Sequence, residues 1–339
     1  MEAYYGNGLQ LDFWKRVSEA STILISGCGG VYDVVQGLPL YFSLKSQGKE
    51  VFLGNMSFSE IKNADGEVIL RESNPAMPIV CMRITADTNH GLVDTSNQGF
   101  FVEKYLCQWF REELNQEISV YAFKRRGVDK LTAAYQAVIQ RHNIQLVILI
   151  DGGSDSLMAG DEKDLGTPLE DILSILAVKQ ARVNAILGCI GIGTDRFQGV
   201  SDCSTLRAIA EITEAGGFLG NFSLLQTMPE VQGFIKASEF IQSRMPRENF
   251  VGFQIISSIL GKFGNYNTLE STHSKKLFIN PLMSQYYFFD LQKVARRIKY
   301  REFVEDTKNA NDFMVGLDYY RNNLEHLIEE EFPRTEEFS

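Results

Sequence analysis

No run of 18 apolar residues occurs in the chain, so the sequence predicts no transmembrane helix. The start, MEAYYGNGLQLDFWKRV, lacks a basic segment followed by an apolar one, which argues against a signal peptide. Cysteine is sparse. The five thiols, Cys28, Cys81, Cys107, Cys189 and Cys203, are odd in number and never spaced as C-x-x-C. That argues against a disulfide framework or a thiolate zinc site and fits reduced thiols in a cytoplasm. Basic residues are the minority, 33 against 43 acidic, for a net charge of −10. Phosphate-backbone contacts need clusters of Lys and Arg, and the longest block here is Lys124-Arg125-Arg126. Nucleic acid is therefore not an expected partner, and neither is a membrane. No low-complexity linker or fixed-period repeat interrupts the chain.

What is present is ordinary for a globular protein: 44% apolar and 22% charged residues over 339 positions. That length suits one large α/β domain, or one with an appended helical part. Continuous apolar runs alternate with amphipathic segments up to about residue 220. Strands are expected at 22–26, 51–53, 78–85, 119–123, 146–150 and 184–191. Helices are expected at 1–20, 33–46, 99–114, 128–142, 168–181 and from 201 or 202 to 216–217. Gly48 marks one helix stop. Thr167, Pro168 and Glu170 read as an N-cap, an N1 proline and a capping-box acid. Fully apolar strands alternating with helices predict a mostly parallel sheet covered on both faces, a three-layer α/β arrangement. Residues 1–220 form that core. Residues 221–339 read as a mostly helical part packed on it, with helices at 229–245, 248–263, 291–300 and 312–331, and aromatic strand-like runs at 277–281 and 286–290.

In a parallel sheet, ligands bind beyond the carboxyl ends of the strands. Four of these ends carry glycine together with charge: SGCGGVYD after the first strand, KRRGVD after 119–123, DGGSD after 146–150 and GIGTDR after 184–190. The first offers Gly27, Gly29 and Gly30 for close backbone approach to a ligand, with Asp33 at a helix start. It is not a P-loop, and it departs from the dinucleotide fingerprint. Tyr32 takes the sixth place, and the next strand ends in Gly54-Asn55 without an acid. The plainer reading is a tight turn that needs only glycine. A nucleophilic Cys28 would need a nearby base, and none of His90, His142, His273 and His326 has a spacing that nominates it. His90 lies in a polar segment with Asp87, Asn89, Asp94 and Asn97, which also reads as a hydrogen-bonded surface loop.

The stretch LVILIDGGSDSLMAGDE ends an apolar strand on Asp151 and stacks Asp155, Asp161 and Glu162 behind it. A carboxylate there needs a partner. Asp151 to Glu162 has the span of an EF-hand loop, but Gly153, Ser156 and Leu157 occupy its third, sixth and seventh places, so that reading fails. Another divalent-cation site, with Asp151 and Asp155 as ligands, or hydrogen bonding to sugar hydroxyls remains open. So does a set of loop caps. Arg125 and Arg126 could pair with these acids or bind a phosphate. Thr194 and Asp195 stand in a similar position after the 184–190 strand.

The segments SGCGGVYDVVQGLPL, LIDGGSDSLMAGDEKDLGTPLED and NPLMSQYYFFD together resemble an uncharacterised family, the domain of unknown function 1152. Its members are similar in a Gly-rich first turn ending in Asp, a strand-terminal Asp-x-Gly-Gly-Asp-like motif, and a late Phe-Phe-Asp segment. Here Ser154 stands before Asp155 and shifts it by one place. The resemblance implies a Rossmann-like α/β fold with one shared site, and it supplies no activity. The expectation is an enzyme, a hydrolase or transferase, that binds a nucleotide, nucleoside or other phosphate or ribosyl metabolite. Asp151, Asp155 and Asp161 would do the chemistry, and Gly27, Gly29, Gly30, Asp33, Arg125, Arg126, Thr194 and Asp195 would hold the ligand. The alternative is a non-catalytic nucleotide-sensing or interaction module, whose aromatic C-terminal third signals to a partner or to a second copy in a homo-oligomer.

Overall fold

The computed structural model describes residues 9–59, 61–73, 78–89, 101–245, 249–266, 277–329 and 331–332. Among the described residues eleven strands are formed: β1 (Thr22–Gly27), β2 (Glu50–Ser57), β3 (Glu67–Arg71), β4 (Ile79–Ile84), β5 (Val120–Lys124), β6 (Leu146–Asp151), β7 (Asn184–Ile190), β8 (Phe218–Ser223), β9 (Gly264–Tyr266), β10 (Leu277–Ile279) and β11 (Gln285–Asp290). The helices are α1 (Asp12–Ser18), α2 (Asp33–Gln36), α3 (Leu38–Ser46), α4 (Val102–Leu114), α5 (Val128–His142), α6 (Pro168–Gln180), α7 (Asp202–Glu214), α8 (Pro229–Gln242), α9 (Phe250–Ile259), α10 (Leu291–Arg297), α11 (Arg301–Val304) and α12 (Ala310–Asn322). No helix among the described residues is long and apolar enough to cross a membrane.

Nine strands form one sheet in the order β3-β4-β5-β2-β1-β6-β7-β11-β8. From β5 to β7 the neighbours are all parallel. Next to them β4 and β11 run antiparallel, and the outer β3 and β8 turn back again. Counting only the parallel strands in chain order gives 3-2-1-4-5, the doubly wound arrangement. Its winding reverses between β1 and β6.

Strand alternation divides the core into two halves. Leu24 of β1, Val147 and Leu149 of β6, and Tyr287 and Phe289 of β11 face one apolar cluster, shared with α5, α6, α10 and α12. Ile23 and Ile25, Ile148 and Ile150, and Tyr286 and Phe288 face the other, shared with α3, α4, α8 and α9. This is why β6 and β11 read as unbroken apolar runs: both faces are covered. The aromatics of 286–289 are core and not an exposed partner surface. Phe13 stacks on Phe288 with centroids 3.7 Å apart.

Several boundaries differ from expectation. The helix predicted over 33–46 is broken at Gly37, because Pro39 has no N–H to continue the ladder and instead starts a new helix. Edge strands β3 and β8 add to the strands expected from the sequence. The last helix ends at Asn322 and not at 331, and its start is capped by Asn309, which accepts the Asp312 N–H at 2.9 Å. Gly48 does stop α3, with φ +77. The C-terminal third is not merely laid on the core, since its strand β11 inserts between β7 and β8.

Candidate functional site

The winding reversal between β1 and β6 opens a cavity of about 600 Å³ at the carboxyl ends of these strands. Gly29 to Asp33 line it from the β1 side, and Asp151, Gly152 and Asp155 from the β6 side. Asp195 comes from the end of β7, and Thr167, Glu170 and Asp171 from the start of α6. Asn249, Phe250 and Val251 come from the start of α9. Five aspartates therefore meet in one place. None of the described lining residues is Lys, Arg or His.

Asp33 organises the glycine turn. Its Oδ2 accepts the N–H groups of Gly29 and Gly30 at 2.9 and 2.5 Å, and its Oδ1 accepts that of Gly152 at 3.2 Å. Glycine is required by space: a Cβ on Gly30 would lie 2.5 Å from Asp33 Oδ1, and one on Gly29 would lie 2.1 Å from Asp171 Oδ1. The backbone donors that a phosphate would use are thus already taken by a carboxylate of the chain. Burial pushes the Asp33 carboxyl up to about 6, against the pull of those three N–H groups.

Asp151 accepts a short hydrogen bond from Ser156 Oγ. Asp155 Oδ2 accepts both the N–H and the hydroxyl of Thr167, at 2.8 and 2.9 Å. Thr167 is spent on this anchor and makes no side-chain cap, so the predicted capping box does not form. Asp195 Oδ2 accepts the Ser154 N–H at 2.7 Å. Asp171, one turn into α6, has its Oδ1 buried without a hydrogen-bond partner. Burial raises Asp151, Asp171 and Asp195 well above their ordinary value, with neighbouring aspartates adding to it, and raises Asp155 against the pull of its hydrogen bonds from Thr167.

Asp33, Asp151 and Asp171 are the tightest group, with one oxygen from each lying within 4.8 Å of the others. At an effective dielectric of about 20, two charges at that spacing repel by about 3 kcal/mol or more. Three such pairs are comparable to what the four hydrogen bonds on these carboxylates return, about 1.5–3 kcal/mol each for a charged acceptor, and the cost of burying the charges comes on top. The triad therefore keeps protons or takes up a cation. Gln36, from α2, has both side-chain polar atoms buried without a partner on the same cavity wall.

The mouth is aromatic. Phe58 follows β2, Phe197 follows β7, and Phe250 opens α9; Phe197 and Phe250 meet edge to face at 4.8 Å. Arg125 pairs with Glu170 at 2.6 Å, with its guanidinium 5.9 Å from the Phe58 ring.

The structure gathers Gly29, Gly30, Asp33, Asp151, Asp155 and Asp195 around the cavity, with Gly27 just below. A Cβ on Gly27 would strike Asn55 Oδ1 at 2.2 Å. It places others elsewhere. Asp161 points away to Lys299, with Arg207 at 3.9 Å. Arg126 turns inward beneath the sheet edge, pairing with Glu72 at 3.0 Å and donating to the Ile79 carbonyl at 2.9 Å. Thr194 is buried below the site, its hydroxyl 3.5 Å from Asp195. Cys28 is fully buried, and burial together with Asp171 pushes its thiol up, so it remains a thiol and no nucleophile. His90 lies outside the described residues. Asp171, Gln36, Asn249 and the three phenylalanines went unnoticed in the sequence. Asp171 alone left a trace, as the acid next to Glu170 in a helix start.

Fold and site together define a doubly wound α/β protein with an acidic cavity at its winding reversal. The chain belongs to the family described as Protein of unknown function (DUF1152), which matches residues 95–318, about two thirds of the chain. The match takes in Asp151, Asp155, Asp171 and Asp195, and it begins after the Gly29–Asp33 turn. No curated protein and no solved structure matches the chain.

Proposed function

We propose that this protein is a hydrolase or transferase acting on a nucleoside, nucleotide or related ribosyl metabolite in the cavity between β1 and β6. One observation carries the reading: five buried aspartates converge at the doubly wound ligand position, under an aromatic mouth and with no Lys, Arg or His among the described lining residues. Carboxylates accept hydrogen bonds from sugar hydroxyls, and aromatic faces suit a planar base. A bare phosphate is disfavoured at the floor, because the glycine N–H groups are occupied by Asp33.

Asp155 lies outside the tightest triad and is fixed by Thr167, which suits it to take the proton from an attacking water or acceptor hydroxyl. The bond to the leaving group breaks as the new oxygen bond forms, and an acid of the cluster returns a proton to the leaving atom. Asp195, which lines the cavity outside the triad and which burial raises above its ordinary value, can hold that proton.

The test is product formation. Purified protein is incubated with nucleosides, nucleotides and sugar phosphates, each with and without Mg²⁺, Ca²⁺ or Mn²⁺, and released base, phosphate or sugar is followed by chromatography. Turnover that Asp155→Asn removes, with melting unchanged within a few degrees, is the expected result. Full activity in Asp155→Asn would overturn the assignment. Binding without product across the panel would favour the sensing module.

A further inference from the structure

We infer that Asp33, Asp151 and Asp171, with the amide oxygen of Gln36, form a site for one hard divalent cation at the floor of the cavity. The proposal rests on the reading of this cavity as the functional site, but it needs no particular reaction. Four observations point to it.

The first is geometry. One oxygen of each carboxylate lies within 4.8 Å of the others, close enough for small side-chain shifts to bring all three to the Ca²⁺–oxygen distance of about 2.4 Å. A single ion can touch all three. The second is Gln36. It is 1% exposed, lines the cavity, and has neither its amide oxygen nor its amide nitrogen in a hydrogen bond. A buried amide left so has a missing partner, and a neutral oxygen beside three carboxylates is a common member of a hard-cation shell. Its place is fixed from behind, because Tyr286 Oη donates to the Gln36 carbonyl. The third is Asp171 Oδ1, also buried and unpartnered. The fourth is the room made for the group. Cβ atoms at Gly29 and Gly152 would lie 2.1 Å from Asp171 Oδ1 and 2.8 Å from Asp33 Oδ1, and the latter would sit 3.3 Å from Gln36 Nε2.

The donors are all oxygen, which selects Mg²⁺, Ca²⁺ or Mn²⁺ over softer ions. The two thiols of this region, Cys28 and Cys189, are held protonated by burial, and no described histidine lines the cavity. The site differs from the one the sequence suggests. Asp155, expected as a ligand beside Asp151, is engaged by Thr167, and Asp171 from α6 takes its place. The remaining positions on the ion face the open cavity, where a substrate hydroxyl or water can bind.

The experiment is calorimetric titration of the full chain, freed of metal with chelator, with Ca²⁺, Mg²⁺ and Mn²⁺ in turn. One ion per chain is expected for at least one of the three. Asp151→Asn and Asp171→Asn should each weaken it by at least about tenfold, and Asp155→Asn by less than about threefold. A parallel melting series guards against misfolding. At one ion concentration the melting temperature of the wild type should rise clearly more than that of Asp171→Asn, while the metal-free Asn variants melt no lower than the wild type. No saturable binding up to about 10 mM, beyond the weakest Ca²⁺ modules, would overturn the proposal. So would an Asp155→Asn variant as impaired as Asp171→Asn. Metal binding without turnover on any substrate would leave this site standing and overturn the enzymatic reading. Turnover indifferent to chelator, with no ion bound, would do the reverse.

Discussion

Asp33 Oδ1 accepts the Gly152 N–H at 3.2 Å, and this bond ties the segment after β1 to the segment after β6 across the winding reversal. The other oxygen of Asp33 holds Gly29 and Gly30. One side chain therefore sets the shape of both glycine turns. Asp33→Ala should leave three N–H groups without their acceptor. Each loss costs about 1–3 kcal/mol when water cannot replace it, and water enters this cavity, so a total of about 2–4 kcal/mol is expected. Urea denaturation of wild type and variant measures it. A variant as stable as the wild type would show that the turns form without Asp33.

The cluster also sets a pH dependence. Asp33 has an ordinary value of 3.8 and is raised to about 6 in the fold, chiefly by burial. Asp151, Asp171 and Asp195 move in the same direction, burial first and the neighbouring acids after it. The folded state thus binds more protons than the unfolded chain between pH 3.8 and about 6, and stability falls as pH rises through that window. In chelator, the urea midpoint should drop across it. Global repulsion in an acidic chain acts the same way, so the informative quantity is the difference from Asp33→Asn, which should show a shallower fall. Identical slopes would remove Asp33 as the cause. A saturating divalent cation should flatten the wild-type curve.

Much of the fold was legible because β1, β6 and β7 are covered on both faces and read as unbroken apolar runs ending in glycine and acid. Edge strands β3 and β8 were not. Phe218–Ser223 mixes Gly220 and Asn221 into its run and has one face half open, so no clean period marks it. The site was legible where it sits on strand ends, as with Asp151 and Asp195. Asp171 and Gln36 stand on helices, and their nearness to Asp151 depends on which strands are neighbours, which a single sequence does not encode locally. Helix geometry explains the confusion over α6. Glu170 and Asp171 are adjacent and point about 100° apart, so one reaches Arg125 at the mouth and the other the floor.

Two adjacent arginines should behave oppositely. Arg125 is half exposed and pairs with Glu170 at the rim. Removing a pair of that kind costs about 1 kcal/mol or less. Arg126 is buried against Glu72 and the Ile79 carbonyl, and its removal strands an acid and a backbone acceptor at the sheet edge, at a cost of about 3 kcal/mol. Arg125→Ala should therefore melt like the wild type while changing the apparent KM for a substrate that enters past Phe58. Arg126→Ala should melt well below it. Equal losses in the two variants would show that the rim pair is structural as well.

Asp161 separates the acids that share a sequence motif from those that share a site. It follows Asp155 by six residues, yet Lys299 Nζ donates to its side chain, its carbonyl accepts the Ile328 N–H at 2.7 Å, and it does not line the cavity. Its role is to clasp the loop after β6 to the C-terminal segment. Lys299 is half exposed, so the ion pair is worth about 1 kcal/mol or less, and Asp161→Asn should lose no more than that. Turnover and cation affinity should stay within about twofold of wild type, against at least about a hundredfold loss of kcat in Asp155→Asn, as expected for a removed general base. The two variants are isosteric changes six residues apart, so side-by-side kinetics tests the site assignment directly. If Asp161→Asn lost activity as Asp155→Asn does, the cavity between β1 and β6 would be the wrong centre for the chemistry.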